Sequence, residues 1–419
     1  MKSNNSIIIY NLFPTLRPIE CWKEIASEAA RMGFNYLYIN PICSTGKSGS
    51  LYAIDDFFKY SSSIFPGMTE QEIEAFFTDF FSHCKSVGIL PILDIVLNHV
   101  ADSSPLIQQH PSWFEFDENG NAKYAYYYDG AGNTCYYGDI VRINHNEENM
   151  TETLPYFYDF CVKFLKLGCC GFRTDMPLYI YEIFMSSLIS KVKSAYPGTF
   201  FLGESINPVE KDNYKKLKRE GFDCAYNLSF CWDCSSDPER LIRDLNMMSN
   251  IIPTIGIAES HDTDRLINIC GNNLDKFRQR LWMNASLSSG FMMTAGAEFA
   301  NSTRIDVFTT SKWDWEENVS FKEEIRIMLS LKTRHKPLSN ECEIEVISNT
   351  SGYILIKKSY EDETIYILIN RSGLPELANN LFVLKPHELI LITKNGIFSS
   401  YPANNNTLLE IGEQQQVYS

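Results

Sequence analysis

Two rhythms of apolar residues alternate along this chain. Short apolar runs, among them Ile7-Ile8-Ile9-Tyr10 and Pro253-Thr254-Ile255-Gly256-Ile257-Ala258, read as strands, and longer stretches between such runs carry apolar positions on one helical face. Eight strand-like runs begin near Ile7, Asn35, Ile89, Gly171, Thr199, Phe222, Pro253 and Phe291. Helical stretches such as 21–31, 70–85, 179–195 and 274–289 lie between them. Strands alternating with helices predict βα units around a parallel sheet, and eight units predict a closed (β/α)8 TIM barrel of the α/β class. A barrel of that kind does its chemistry at the C-terminal rim of its strands.

The alternation breaks twice. Residues 100–150 form a polar insertion after the third strand, rich in aromatics: Trp113, Phe114, Tyr124, Tyr126, Tyr127, Tyr128, Tyr136 and Tyr137. Beyond a helical stretch at 321–332, short strands at 343–347, 353–358, 364–370 and 388–393 are separated by turn residues, which predicts a C-terminal antiparallel β-domain. The expected organisation is therefore a barrel from 1–99 and 151–336, an inserted domain at 100–150, a β-domain at 337–403 and a frayed tail at 404–419 containing Gln414-Gln415-Gln416.

Composition narrows the function. A chain of 419 residues can bury a large core without staples. Its net charge of −15 and pI near 5.0 oppose binding to nucleic acid or to an anionic membrane surface. The twelve cysteines are scattered singly through predicted helices and strands, which favours reduced, buried thiols. Cys231-Trp232-Asp233-Cys234 has redox or half-zinc spacing, but no second pair or nearby histidine completes a tetrahedral set. The start lacks a signal-peptide pattern and no run reaches transmembrane length, so a cytoplasmic location is expected.

Two carboxyl groups fall at strand ends: Asp175 in Gly171-Phe172-Arg173-Thr174-Asp175, and Glu204 in Phe201-Leu202-Gly203-Glu204. Retaining glycosidic chemistry needs such a pair, one ionised to attack the anomeric carbon and one protonated to serve the leaving oxygen. Arg173, two residues before Asp175, projects to the same face and is expected to keep it ionised. Phe200, Phe201 and Leu202 offer Glu204 the apolar surroundings that raise a carboxyl pKa. A third carboxylate, Asp262, stands in Glu259-Ser260-His261-Asp262, and a fourth segment, Asp94-Ile95-Val96-Leu97-Asn98-His99, closes an earlier strand.

In order and spacing these four segments resemble the α-amylase family, glycoside hydrolase family 13, whose pattern is Asp-x-x-x-Asn-His, Gly-x-Arg-x-Asp, a strand-end Glu and His-Asp. The resemblance runs from about the first strand to the start of the terminal β-domain. It implies Asp175 as nucleophile, Glu204 as general acid and base, and Asp262 as the carboxylate that holds the distorted sugar. It also implies His99 and His261 on sugar hydroxyls, Tyr52 stacked on the sugar, and Asp94 supporting Arg173. Many members carry Asp after that tyrosine and Gly before it, whereas this chain has Ala53 and Leu51, a form similar to maltosyltransferase-like members.

No cofactor is expected to be required. Calcium is the metal the resemblance implies, with Asn98 and Asp139 as ligands, although the family's Lys-His pair after the nucleophile is replaced by Met176-Pro177-Leu178. Lys47, in Ser44-Thr45-Gly46-Lys47-Ser48-Gly49-Ser50, sits in a loop whose amides and single cation could hold a phosphate leaving group; a solvated loop lysine is the plainer account. The expected activity is that of a retaining α-glucan-active enzyme acting on an α-glucan or oligosaccharide as hydrolase or transglycosidase. The alternatives are a maltosyltransferase using a glycosyl-phosphate donor and a non-catalytic carbohydrate-binding or scaffold homologue.

Overall fold

The computed structural model describes residues 6–128, 131–205, 210–227, 237–307, 317, 319–378 and 382–401. The Cys231–Cys234 motif and the 404–419 tail lie outside them.

Eight strands close the barrel: β1 (Ile8–Leu12), β2 (Tyr36–Ile39), β3 (Leu90–Val96), β4 (Gly171–Asp175), β5 (Phe200–Gly203), β6 (Cys224–Tyr226), β7 (Thr254–Ile257) and β8 (Gly290–Thr294). Each pairs in parallel with its sequence neighbours, and β8 pairs back onto β1 with Ile8 beside Phe291. Parallel neighbours need crossover connections, and a helix supplies each one. These are α1 (Trp22–Met32), α2 (Glu70–Ser86), α3 (Met150–Leu167), α4 (Glu182–Ala195), α5 (Lys211–Glu220), α6 (Pro238–Ser249) and α7 (Leu274–Leu287), and α8 (Lys322–Arg334) follows β8.

Strand alternation sorts the core into two layers. Ile9, Tyr38, Ile92, Leu202, Tyr226, Ile255 and Met292 fill the barrel interior. Their neighbours, such as Ile8, Leu37, Phe172 and Phe291, face outward against helix residues including Trp22, Phe77, Phe80 and Leu329. Gly171 allows β4 and β5 to meet, because a Cβ there would fall 2.3 Å from the Phe200 carbonyl oxygen.

After β3 the chain builds a three-stranded antiparallel sheet from His99–Ala101, Thr134–Arg142 and Tyr124–Tyr128, with the middle segment central. It seats on the loop after β2 through Ala53, Ala101, Ala125 and Ile140, with Tyr137 against them. Ala53 is buried in that contact, where an aspartate would place a charge among apolar groups. Beyond α8 lies a five-stranded antiparallel sheet: Ile344–Asn349, Tyr353–Tyr360, Glu363–Asn370, Leu389–Thr393 and Gly396–Ser399. Two buried lysines, Lys358 of this sheet and Lys332 of α8, meet at its junction with the barrel. Lys332 donates to the carbonyls of Ala285, Ser288 and Leu338, and Lys358 donates to those of Ser286 and Leu287, so both cap the end of α7.

Among the described residues no helix is long and apolar enough to cross a membrane. No disulfide joins the ten described cysteines, and burial pushes Cys43, Cys84 and Cys169 up to about 12.

Candidate active site

A cavity of about 360 Å³ opens at the C-terminal rim, walled by Tyr52, Asp175, Glu204 and Asp262 from the barrel side and by His99, Tyr127, Tyr137 and Asp139 from the inserted sheet. Arg173 organises its floor. One terminal nitrogen, Nη1, donates to both Asp94 oxygens at 3.0 and 2.9 Å and to Asp175 Oδ1 at 2.9 Å. The other, Nη2, lies 2.6 Å from Glu204 Oε1, an ion pair without the alignment of a hydrogen bond. The guanidinium is fully buried, and the rings of Tyr38 and Tyr226 lie 5.9 and 5.8 Å from it.

The sharing of one cation changes the electrostatics expected from sequence. Burial first and the Glu204 charge second hold the Asp175 carboxyl well above the usual range, with Arg173 pulling the other way. Glu204 is also raised, by burial, against the pull of Arg173 and the Met176 amide and with a push from Asp262. Arg173 alone therefore does not keep Asp175 ionised, because its single charge is divided among Asp94, Asp175 and Glu204. Burial thus favours a proton on each of the last two. When Glu204 alone holds one, Asp175 is the anion that Nη1 supports.

Asp94 anchors a further network. Tyr38 and Tyr52 donate their hydroxyls to Asp94 Oδ2 at 2.5 and 2.7 Å. Asn40 Nδ2 donates to the Tyr52 hydroxyl at 2.8 Å and lies 3.1 Å from His261 Nδ1. Tyr52 also stacks on the His261 ring, with centroids 5.0 Å apart and planes 5° from parallel. The His261 Nε2 atom is 3.1 Å from Asp262 Oδ2, while Asp262 itself is half exposed to the cavity. Both His261 nitrogens thus serve protein partners, and the ring's geometric role is to orient Asp262. His99 is buried, with Nε2 3.1 Å from the Tyr52 carbonyl and Nδ1 without a hydrogen bond; burial pushes its pKa down to about 4. It is a neutral latch between the first motif and the loop carrying Tyr52.

The turn after β4 completes the floor. Met176 takes the left-handed conformation at φ 43°, and its N–H donates to Glu204 Oε2 at 2.8 Å. Such a backbone is strained for a non-glycine residue and must be held from outside. Lys216 on α5 does so, donating to the carbonyls of Pro177, Leu178 and Ile180 at 3.1, 2.9 and 2.7 Å. Arg142 Nη2 adds a bond to the Tyr179 carbonyl at 3.3 Å.

Three sequence-based candidates fall differently. Lys47 is exposed and is not part of the cavity wall. Its loop is also no phosphate nest: Gly46 N–H donates to Ala53 O at 2.8 Å and Gly49 N–H to Gly46 O at 3.1 Å, so both amides close the loop's own turns. Asp139, a candidate calcium ligand, lines the sugar-sized cavity beside Tyr137. Asn98 Oδ1 is buried without a hydrogen bond, which suits a metal ligand, but no group of three His, Cys, Asp or Glu side chains converges among the described residues. Calcium takes six to eight oxygens. Asn98 Oδ1 is one oxygen that such a shell could use.

Sequence reasoning passed over Tyr38, Asn40, Met176 and Lys216. For Asn40 a signal exists, since it follows β2 as a polar residue at the rim. Lys216 has none, because Lys211–Glu220 reads as a solvated charged helix.

Residues 3–122 match the family model described as glycogen debranching enzyme, glucanotransferase domain. The chain is 28% identical over 349 residues to an α-1,4-glucan:maltose-1-phosphate maltosyltransferase of Rhodospirillum rubrum, covering 71% of this chain and 47% of that protein. It is 21% identical over 371 residues to an intracellular maltogenic amylase of Bacillus subtilis, covering 82% and 60% respectively. It thus spans about half to three fifths of these relatives' length. Among solved structures, a maltogenic α-amylase from Thermotoga neapolitana superposes with a TM-score of 0.71 at 20% identity, over 93% of this chain and 89% of that one. A cyclic α-maltosyl-(1→6)-maltose hydrolase from Arthrobacter globiformis gives 0.74 at 18% identity, over 93% and 98%.

Proposed function

The chain is a member of the α-amylase family, and from this premise we propose that it is a retaining enzyme acting on α-glucans or maltooligosaccharides. The observation that carries the reading is one buried guanidinium bound to Asp94, Asp175 and Glu204 at a rim cavity that also exposes Asp262. Two carboxyl groups on the two arms of one arginine are close neighbours, as retention requires.

In the first half-reaction the Asp175 carboxylate attacks the anomeric carbon as Glu204 gives its proton to the departing glycosidic oxygen. The glycosyl group is left esterified to Asp175. Loss of the Glu204 proton restores charge beside Arg173, and Glu204 then takes a proton from the incoming acceptor hydroxyl as that oxygen displaces Asp175. Asp262, oriented by His261, faces the sugar hydroxyls. Water as acceptor gives hydrolysis and a glucan hydroxyl gives transfer.

The relatives named as maltosyltransferases favour a second reading with a glycosyl-phosphate donor. Lys47 does not support it, because it stands outside the cavity. Any phosphate would need other partners. The free, buried thiols support a reducing, cytoplasmic location.

The test is turnover of maltosyl fluoride, followed by mass analysis of products from a maltooligosaccharide panel with and without inorganic phosphate. Turnover that disappears in Asp175→Asn is expected. A folded parent protein that leaves both maltosyl fluoride and the panel untouched overturns the catalytic reading in favour of a binding or scaffold protein.

A further inference from the structure

The inserted sheet has two aromatic faces, and the catalytic cavity uses only one. Side chains alternate along its strands. Tyr127 and Tyr137, with ring centroids 5.1 Å apart, belong to the face that walls the cavity. On the other face stand Tyr126, Tyr128 and Tyr136, with Tyr126 and Tyr136 as cross-strand partners. Tyr126 is central, its ring 5.7 Å from Tyr128 and 6.1 Å from Tyr136. Its remaining aromatic neighbour is Tyr179, 6.3 Å away, and Tyr179 is part of the cavity wall.

These rings are not packed away. Tyr136 is 68% exposed and Tyr128 48%, whereas a ring placed for core packing would be buried. The central ring is nonetheless fixed. Arg142 lies 5.6 Å from the Tyr126 centroid, donates to its hydroxyl at 3.2 Å and reaches the Tyr179 carbonyl with its other terminal nitrogen. The result is a row of phenol rings, held at its centre, that starts at the cavity mouth and runs into solvent. Its chemistry fits a pyranose, which offers an apolar C–H face to a ring and hydroxyls to the phenol oxygens. The cation beside the row, Arg142, already donates to the Tyr126 hydroxyl and the Tyr179 carbonyl.

We propose that Tyr126, Tyr128 and Tyr136 form an outer binding surface for an α-glucan chain, continuous through Tyr179 with the cavity, so that a long substrate or acceptor is held at both places at once. The occupant is the distal part of the chain whose end lies in the cavity. The proposal rests on the function proposed above and adds a chain-length preference to it. Simultaneous engagement raises affinity for long chains without any new contact at the reacting bond.

The experiment compares the parent, Tyr128→Ala/Tyr136→Ala and Tyr128→Phe/Tyr136→Phe. Binding of maltose and maltoheptaose is measured by calorimetry in the Asp175→Asn background, and the ratio of kcat/KM for maltoheptaose to that for maltosyl fluoride is measured with active protein. The alanine pair should weaken maltoheptaose binding and lower the ratio about tenfold, equivalent to about 1.4 kcal/mol. The phenylalanine pair, which keeps the ring faces, should stay within about twofold of the parent. An alanine pair that matches the parent in both readouts overturns the proposal. So does a parent that sediments as a dimer and is split by the alanine pair, since the face then joins two copies. Should the alanine pair fail to fold, Tyr136→Ala alone removes the most exposed ring and is read the same way. A parent without turnover refutes the catalytic reading, while calorimetry in Asp175→Asn still decides whether this face binds glucan.

Discussion

Replacing Lys216 with Met tests whether the turn after β4 governs the acid. Methionine keeps the apolar stem of lysine and none of its donors. Three carbonyls then lose the ammonium, and Glu220, 3.5 Å from it with both oxygens buried, loses its counter-ion. Breaking a buried charged set by removing one member costs about 3–5 kcal/mol. The lower end applies here, because burial raises the Glu220 carboxyl to about 8, so it already holds a proton at neutral pH and leaves no unpaired charge behind. A loss of about 3 kcal/mol corresponds to a Tm lower by roughly 6 °C for a large domain.

The catalytic consequence of Lys216→Met is separate from that loss. The freed turn slackens the bond from Met176 N–H to Glu204 Oε2, which favours the ionised carboxylate. The Glu204 pKa should therefore rise, and the basic limb of the pH profile for maltoheptaose should move to higher pH. At neutral pH, kcat should fall about tenfold, the worth of one misaligned bond of about 1.4 kcal/mol. The double variant Lys216→Met/Glu220→Leu separates the two effects. Removing the orphaned carboxyl should recover stability, while the turn stays unanchored and the pH shift persists. The reasoning is refuted if Lys216→Met melts lower yet keeps the parent's pH profile and a kcat within about twofold.

Three further outcomes follow from the same geometry. Glu204→Gln should slow maltoheptaose far more than maltosyl fluoride, whose leaving group needs little protonation; equal losses on both would remove Glu204 as the acid. For Glu220 the folded pKa is about 8 against about 4.3 unfolded, so between those values the folded state holds a proton that the unfolded state releases, and stability falls as pH rises. Glu220→Gln should flatten that decline, as read from urea midpoints at about pH 5 and pH 8; a decline as steep as the parent's would place the titration elsewhere. Lys47→Ala should leave product ratios with and without phosphate unchanged, because Lys47 lies off the cavity wall. Selective loss of phosphate-dependent products would return it to the site.

What sequence makes legible is what short-range pattern encodes. The barrel strands are brief apolar runs, and the helices between them repeat at one spacing, so both emerge without knowledge of contacts. Asp94, Asp175, Glu204 and Asp262 are legible because each stands at or just beyond a strand end. The environment of those carboxyls is not. Tyr38 reaches Asp94 only because the closed barrel sets β2 beside β3, and its run of apolar neighbours gives no hint of a hydroxyl aimed at the rim. Arg173 was expected beside Asp175 and Asp94, but closure also brings Glu204 to the same guanidinium, so that one cation is shared by three carboxyl groups. The tyrosines of the insertion show the same limit more finely. Their number is plain in sequence, yet which of them face the cavity depends on strand register, and the pairing shifts between Tyr124 and Tyr126. An irregularity there reverses which parity faces inward, so the division between Tyr127 and Tyr137 on one side and Tyr126, Tyr128 and Tyr136 on the other is a property of the folded sheet.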